Sequence, residues 1–274
     1  MFDIILFMAP AICMCIILVG ICGYVGIHVV MREVIFIDIA LAQIAALGTS
    51  FGLIWGFEIS DISTFIISLV FTFLAAVLLS LTRKLSSRVP QEAFIGILYA
   101  TGASAVLLAG DRLPHGNEHV HDLMCGHLLW VNWSEVLLYL IIYLVLGIIY
   151  FLIHKKLITI SQSIRSGKKL NNSFILWDFI FYSLLGLLVT FAVREAGVLL
   201  VFGFLIVPAV IGILLGKSFH NRLIIGWISG VIVSLIGSYI SYKLDFPTGA
   251  TVVVCLGFTL LIVAFIKGFY LKYR

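Results

Sequence analysis

Residues 114–122 read PHGNEHVHD and gather His115, His119 and His121 with Glu118 and Asp122, in a chain that has only 7 histidines and 13 acidic residues. His115 and His119 are spaced i, i+4, as are Glu118 and Asp122, so one helical turn brings all four onto neighbouring parts of one surface. His121 joins from an extended or bent continuation. Imidazole mixed with carboxylate is a borderline donor set, suited to zinc, manganese, iron, nickel or copper more than to calcium or magnesium, which favour all-oxygen shells. Three readings stand for this stretch: an outward metal site, a polar loop with no ligand, and a cluster of histidines that senses pH.

A second set of polar residues lies in apolar surroundings. Asp38 follows Arg32 by six residues, about 9 Å along a helix, and Gln43 is deeper still. Ionisable groups cost roughly 2.5–3.5 kcal/mol at mid-membrane, so each is a functional candidate. Five residues of separation turn Asp38 and Gln43 about 140° apart, so one helix face cannot present both. Asp38 therefore reads as lining a substrate path, or as serving a buried ion pair or helix cap. His28, Glu33, Glu92 and Glu135 fall near the ends of apolar runs, where interfacial water reaches them, and read as structural.

The elements that must position these residues follow from composition. The chain has 274 residues, 62% of them hydrophobic and 11% charged, with a mean hydropathy of +1.21. Those values describe an all-α, polytopic transmembrane bundle. A crossing needs about 20 apolar residues, and that ruler gives candidates at 5–30, 34–56, 62–82, 93–110, 133–153, 175–193, 197–216, 223–242 and 246–266. No Asp, Glu, Lys or Arg stands between Asp3 and Arg32, so the first is a span and not a signal peptide. The sixth and seventh, joined by the tight VREAG turn and interrupted by Pro208, read as a broken or re-entrant pair. The expectation is eight or nine spans in one transmembrane domain, 1–274.

Alternate loops divide the 17 Lys and Arg unequally: all but Arg112, Arg194 and Lys243 fall on one side. The positive-inside rule makes that side cytoplasmic, with the amino terminus outside and the carboxyl terminus inside a multi-pass cytoplasmic (inner) membrane protein. The His-rich loop 111–127 then faces outward, and the polar, basic connection 155–173 faces the cytoplasm. Cys13, Cys15, Cys22, Cys125 and Cys255 form no CxxC pair and read as small core residues. Gly226, Gly230 and Ser234 share one helix face, for intramolecular packing or for a homodimer contact.

GxxxxGK[ST] and HExxH are absent, so the chain has no ATP site of the P-loop kind and does not read as an enzyme. No nucleic-acid partner is expected; membrane lipid is.

Three segments, GIHVVMREVIFIDIALAQIAALGTSFG, REAGVLLVFGFLIVPAVIGILL and YKLDFPTGATVVV, resemble in sequence and order the membrane permeases of ABC-3 transporters for zinc, manganese or iron. Pro208 with Ala209, and Asp245, Pro247 and Gly249 in an Asp-x-Pro-x-Gly pattern, are the most specific parts and mark its structural motifs. The resemblance implies a vitamin B12-importer-like permease that works as a homodimer, with two cytoplasmic ATP-binding cassette ATPase subunits and an extracytoplasmic metal-binding protein. No cofactor is held permanently; the metal, zinc or manganese foremost and iron also open, is cargo, moved by alternating access. Many relatives carry Asp-x-x-x-His in the second span. Aligning Gly48 places Ile39 and Gln43 at those two positions, with Asp38 displaced by one residue, about 100° around the helix. The loop 155–173 is the expected coupling element, with Ser161, Arg165, Lys168 and Lys169 as contacts to the ATPase. On this reading His115, Glu118, His119, His121, Asp122, Asp38 and Gln43 are the metal-handling residues. The rival is a proton-coupled secondary carrier or channel using Asp38, whose mark is matched broken helices in inverted repeats; a non-transporting scaffold is the third class.

Overall fold

The structure is a computed structural model that describes residues 2–59, 61–85, 88–113, 124, 126, 128–165 and 172–272. Its helices are α1 (Phe2–Met31), α2 (Ile37–Ile54), α3 (Ile62–Thr82), α4 (Gln91–Gly110), α5 (Trp133–Arg165), α6 (Asn172–Leu215), α7 (Phe219–Leu244) and α8 (Thr248–Lys272). Among the described residues 8 helices are long and apolar enough to cross a membrane, and no strand occurs. Local chemistry sets their ends. The backbone turns left-handed at Glu33 (φ 57°), just past α1. Pro90 precedes α4, the Ser218 hydroxyl accepts from Asn221 N (3.2 Å) at the start of α7, and Asp245 (φ 54°) ends α7.

Segments 175–193 and 197–216, read as a broken or re-entrant pair, fall almost wholly within the one helix α6. Its apolar stretch Phe174–Leu215 is 42 residues, about 63 Å of helix against a hydrocarbon core of about 30 Å. Gly197 divides it, at φ 77° and ψ 159°, values that suit glycine. The break thus falls in VREAG and not at Pro208, which lies inside the helix.

The chain forms two compact units: Met1–Val30, Cys125–Ile149 and Glu195–Arg274 make one, and Met31–Met124 with Tyr150–Arg194 the other. In the second unit α2 packs closely on α3. A Cβ on Gly48 would lie 2.7 Å from Ser68 Cα. Thr64, Ser68 and Thr72 form a buried stripe at four-residue spacing on α3, and the Ser68 hydroxyl donates to Ala45 O at 2.8 Å. The faces turned away from neighbours are large and apolar, with Leu74 62% and Leu108 70% exposed. Small residues inside and large apolar ones outside is the arrangement expected in lipid, where close packing and not water exclusion joins helices.

The same unit buries a charged cluster. Asp178 Oδ1 accepts from Arg32 Nη1 at 2.6 Å, Arg83 Nε lies 3.3 Å from Asp178 Oδ2, and Arg32 Nε donates to Ser161 Oγ at 3.1 Å. Phe181 covers the Arg32 guanidinium, 4.0 Å from ring centroid to Cζ. Arg32 and Arg83, read from sequence as topology signals, are 1% and 5% exposed.

In the first unit Pro208 is a packing centre. Its carbonyl oxygen would lie 2.7 Å from a Cβ on Gly226, and its ring 3.2 Å from one on Gly230. Ser234 is buried on the same face and bonds Gly230 O at 2.7 Å. The Gly226–Gly230–Ser234 face is therefore spent on intramolecular packing. Gly126 (φ 67°) lets the chain press against the backbone of Ala196 and Gly197, where any Cβ would overlap. Cys15 and Cys22 are buried in this core.

Two outcomes follow for stability. Gly226→Ala is expected to lose about 1–3 kcal/mol through overpacking against Pro208, while Gly257→Ala, with no atom within 4 Å of the added Cβ, stays within about 0.5 kcal/mol. Thermal unfolding in detergent reads the difference. Asp178→Asn leaves two buried guanidiniums without their counter-charge and is expected to cost about 3–5 kcal/mol; an unfolding midpoint equal to wild type would refute the cluster's role.

Candidate functional site

Position six beyond Arg32 places Asp38 in the first turn of α2, 1% exposed. Its Oδ1 accepts from Ile39 N at 2.8 Å, while Oδ2 is buried with no hydrogen-bond partner among the described residues. The buried ion pair weighed for Asp38 is made by Asp178 instead. A second acid, Glu92, stands in the first turn of α4. One Glu92 oxygen accepts from Ile35 N, which ties the segment ahead of α2 to α4.

Gln43 is 2% exposed and faces α4, where a Cβ on Gly102 would lie 3.3 Å from its own Cβ. Both Asp38 and Gln43 are buried although about 140° apart, because α2 is covered on more than one side: α3 meets Gly48 and Gly52, and α4 meets Gln43 and Ile44. The two are about 7.5 Å apart along the helix axis, a separation for successive positions on a path more than for one coordination sphere.

The remaining expectations separate cleanly. His115, Glu118, His119, His121 and Asp122 lie outside the described residues, as do Lys168 and Lys169; Arg165 closes α5, with its side chain also outside the description. Ser161 is corrected: it is 0% exposed beneath Arg32, so it cannot be an outer contact for a docking subunit. His28 is likewise out of reach of interfacial water, 0% exposed and packed against the rings of Tyr24 and Phe219 at 5.1 and 5.5 Å. Glu135 is structural as expected, since it caps α5 reciprocally with Asn132 at 2.9 and 3.1 Å.

Asp245, Pro247 and Gly249 build the turn from α7 to α8. Asp245 takes the left-handed conformation, which aspartate tolerates better than most residues, and Pro247 stands one residue ahead of α8, where its missing N–H costs nothing. Ser241 lies 2.8 Å from the Thr248 hydroxyl across the turn, and Gly249 is buried. Sequence reasoning missed the Arg32–Asp178–Arg83 cluster and Glu92's tie to Ile35. The visible signal for the first was an acid inside an apolar run, which in lipid demands a partner.

The chain as a whole is similar to several known proteins. A manganese transport system membrane protein of Synechocystis sp. is 27% identical over 67% of this chain and 59% of its own length. A chelated iron transport system membrane protein of Yersinia pestis is 29% identical over 72% and 65%. For these two, the chain spans less than two thirds of the relative's length. A probable iron transport system membrane protein of Haemophilus influenzae is 26% identical over 90% and 85%. PsaBC from Streptococcus pneumoniae, solved in complex with Fab, shares the fold with a TM-score of 0.77 at 20% identity, over 97% of this chain and 95% of that one. The family model described as the ABC 3 transport family matches residues 5–267, nearly the whole chain, and on that match the chain belongs to this family.

Proposed function

We propose that the chain is the membrane-spanning subunit of an ATP-driven importer for a divalent transition metal, working as a homodimer with separate cytoplasmic ATPase subunits and an extracytoplasmic metal-binding protein. The observation that carries this reading is the family match across residues 5–267, alongside relatives named for manganese and iron transport. Those names favour manganese or iron over zinc. Donor chemistry leans the same way: Asp38, Glu92 and Gln43 offer only oxygen, and carboxylate and carbonyl oxygen suit manganese, whereas the imidazole that would favour zinc is replaced by Gln43. The histidines of 111–127 act as the outer receiving station, and Asp38, then Gln43, as later stations.

Sidedness follows the basic loops, with the amino terminus outside and the carboxyl terminus cytoplasmic. ATP-driven motion enters through the 155–173 segment, where Arg165, Lys168 and Lys169 meet the ATPase. Ser161 acts behind them: its bond to Arg32 links α5 to the chain that leads, six residues later, to Asp38. Alternating access then consists of moving this end of α2 with the coupling segment.

Asp38→Asn is expected to lower manganese or iron uptake by at least about tenfold in cells lacking their own importers, with the protein recovered in normal amount. Uptake that persists at wild-type rate removes Asp38 from the path, and uptake that needs a proton gradient but no ATPase supports the secondary carrier instead. Arg165→Glu/Lys168→Glu/Lys169→Glu is expected to abolish co-purification of the ATPase subunit. Ser161→Ala keeps it and lowers metal moved per ATP hydrolysed; a normal transport ratio for Ser161→Ala rules out its link to Arg32.

A further inference from the structure

Between α5 and α6, in the unit that holds the charged cluster, lies an open groove of about 330 Å³ lined by Lys155, Lys156, Thr159, Ile160, Phe174 and Trp177. Its depth can be read from α5. That helix begins at Trp133, 56% exposed, as an interfacial tryptophan would be. From Val136 to Ile153 it carries no charged residue or histidine, about 27 Å of helix against a hydrocarbon core of about 30 Å. Lys155 and Lys156 therefore fall at headgroup level, and residues 157–165 continue about 13 Å beyond it.

The groove is built for a molecule with one anionic and one apolar end. Lys155 and Lys156 are exposed, and Lys156 Nζ lies 4.9 Å from the centroid of the half-buried Trp177 ring. No lining residue is acidic, and Asp178 next to Trp177 is occupied by Arg32 and Arg83. One turn toward the membrane centre, on the face below the two lysines, Phe151 and Leu152 are 78% and 76% exposed. A basic pocket between membrane helices at the cytoplasmic level is the recognised setting for anionic headgroups. A neighbouring groove between α3 and α6, about 420 Å³, has apolar walls but only Lys84 as a cation.

We propose that the α5–α6 groove is a binding site for an anionic phospholipid. Lys155 and Lys156 hold the phosphodiester, Trp177 lies at the glycerol level, and an acyl chain runs along Phe151 and Leu152. The expected ATPase contact Arg165 closes α5, about 13 Å of helix beyond the two lysines, so the docked subunit and the lipid occupy different levels. The inference rests on the cytoplasmic placement of 155–173 proposed above.

The test is native mass spectrometry of the chain purified with its ATPase subunits and titrated with phosphatidylglycerol or phosphatidylcholine. Phosphatidylglycerol adducts are expected to survive at activation energies that strip phosphatidylcholine. Lys155→Gln/Lys156→Gln should reduce them roughly ten- to thirtyfold. Lys155→Arg/Lys156→Arg should retain them, which separates charge from folding, and Lys217→Gln/Lys267→Gln, removing equal charge elsewhere, should leave them unchanged. Equal retention of both lipids, or equal loss in the two glutamine pairs, overturns the site. Intact phosphatidylglycerol adducts with loss of the ATPase subunit in Lys155→Gln/Lys156→Gln make the groove a protein-docking face and also overturn it. Metal uptake is not read, so failure here and failure of the transport reading are separate results.

Discussion

One carboxylate, Asp178, organises the unit in which the candidate path lies. It is 0% exposed and faces two guanidiniums, from Arg32 after α1 and Arg83 after α3, while Arg32 also holds Ser161 of α5. A charge in such surroundings is tolerable only when paired, and two cations around one anion leave the cluster net positive, which the Phe181 face over Arg32 helps to offset. The arrangement fixes where α2 can begin. From Arg32 the chain turns at Glu33, is caught at Ile35 by Glu92 of α4, and enters α2 with Asp38 in its first turn. The depth of Asp38 and Gln43 is thus set by charges outside α2.

Residues that would be inert in a soluble core hold the helices together. Gly48, Gly52 and Gly102 let α3 and α4 approach α2 from different sides, which is why both faces bearing Asp38 and Gln43 are covered. In the other unit Gly226 and Gly230 do the same against Pro208. Proline has no N–H to give to the ladder, and its carbonyl and ring are the surfaces these glycines accept. The pairing of Pro208 with a Gly-x-x-x-Gly face explains two sequence motifs as one contact.

Much of this was legible from a ruler and a charge count. Most spans fall close to their expected limits because an uncharged run of about 20 residues has few alternatives to a membrane helix, although α5 runs on to Arg165 and α6 holds the sixth and seventh. Glu135 was read as structural from its place at the end of an apolar run, and its cap partner, Asn132, is three residues away. The misses have a common cause in distance along the chain. Nothing near Asp178 in the sequence points to its partner, because Arg32 is 146 residues away. Ser161 looked like a loop contact because nothing local shows that α5 extends past the membrane and that Arg32, 129 residues off, packs on it. The broken element near VREAG was found but credited to Pro208, the stronger breaker on propensity. Only the backbone shows that Gly197 carries the left-handed turn and that Gly126 presses against it.

The two buried aspartates of this unit have opposite fates, and the contrast bears on which one can meet a cation. Asp178 has both oxygens facing arginine. Asp38 has one oxygen on its own helix's backbone and the other without a hydrogen-bond partner among the described residues, and a second acid, Glu92, is held at Ile35 three residues before it. A buried acid with a cation already in place is structural. One with no cation in place leaves a demand for positive charge, and no salt bridge among the described residues supplies it. On the proposed reading that demand is met in passing by the cargo. With Gln43 where relatives carry histidine, the donors along α2 are all oxygen. Such donors hold a transition metal less firmly than imidazole, and a station on a transport path must release what it binds.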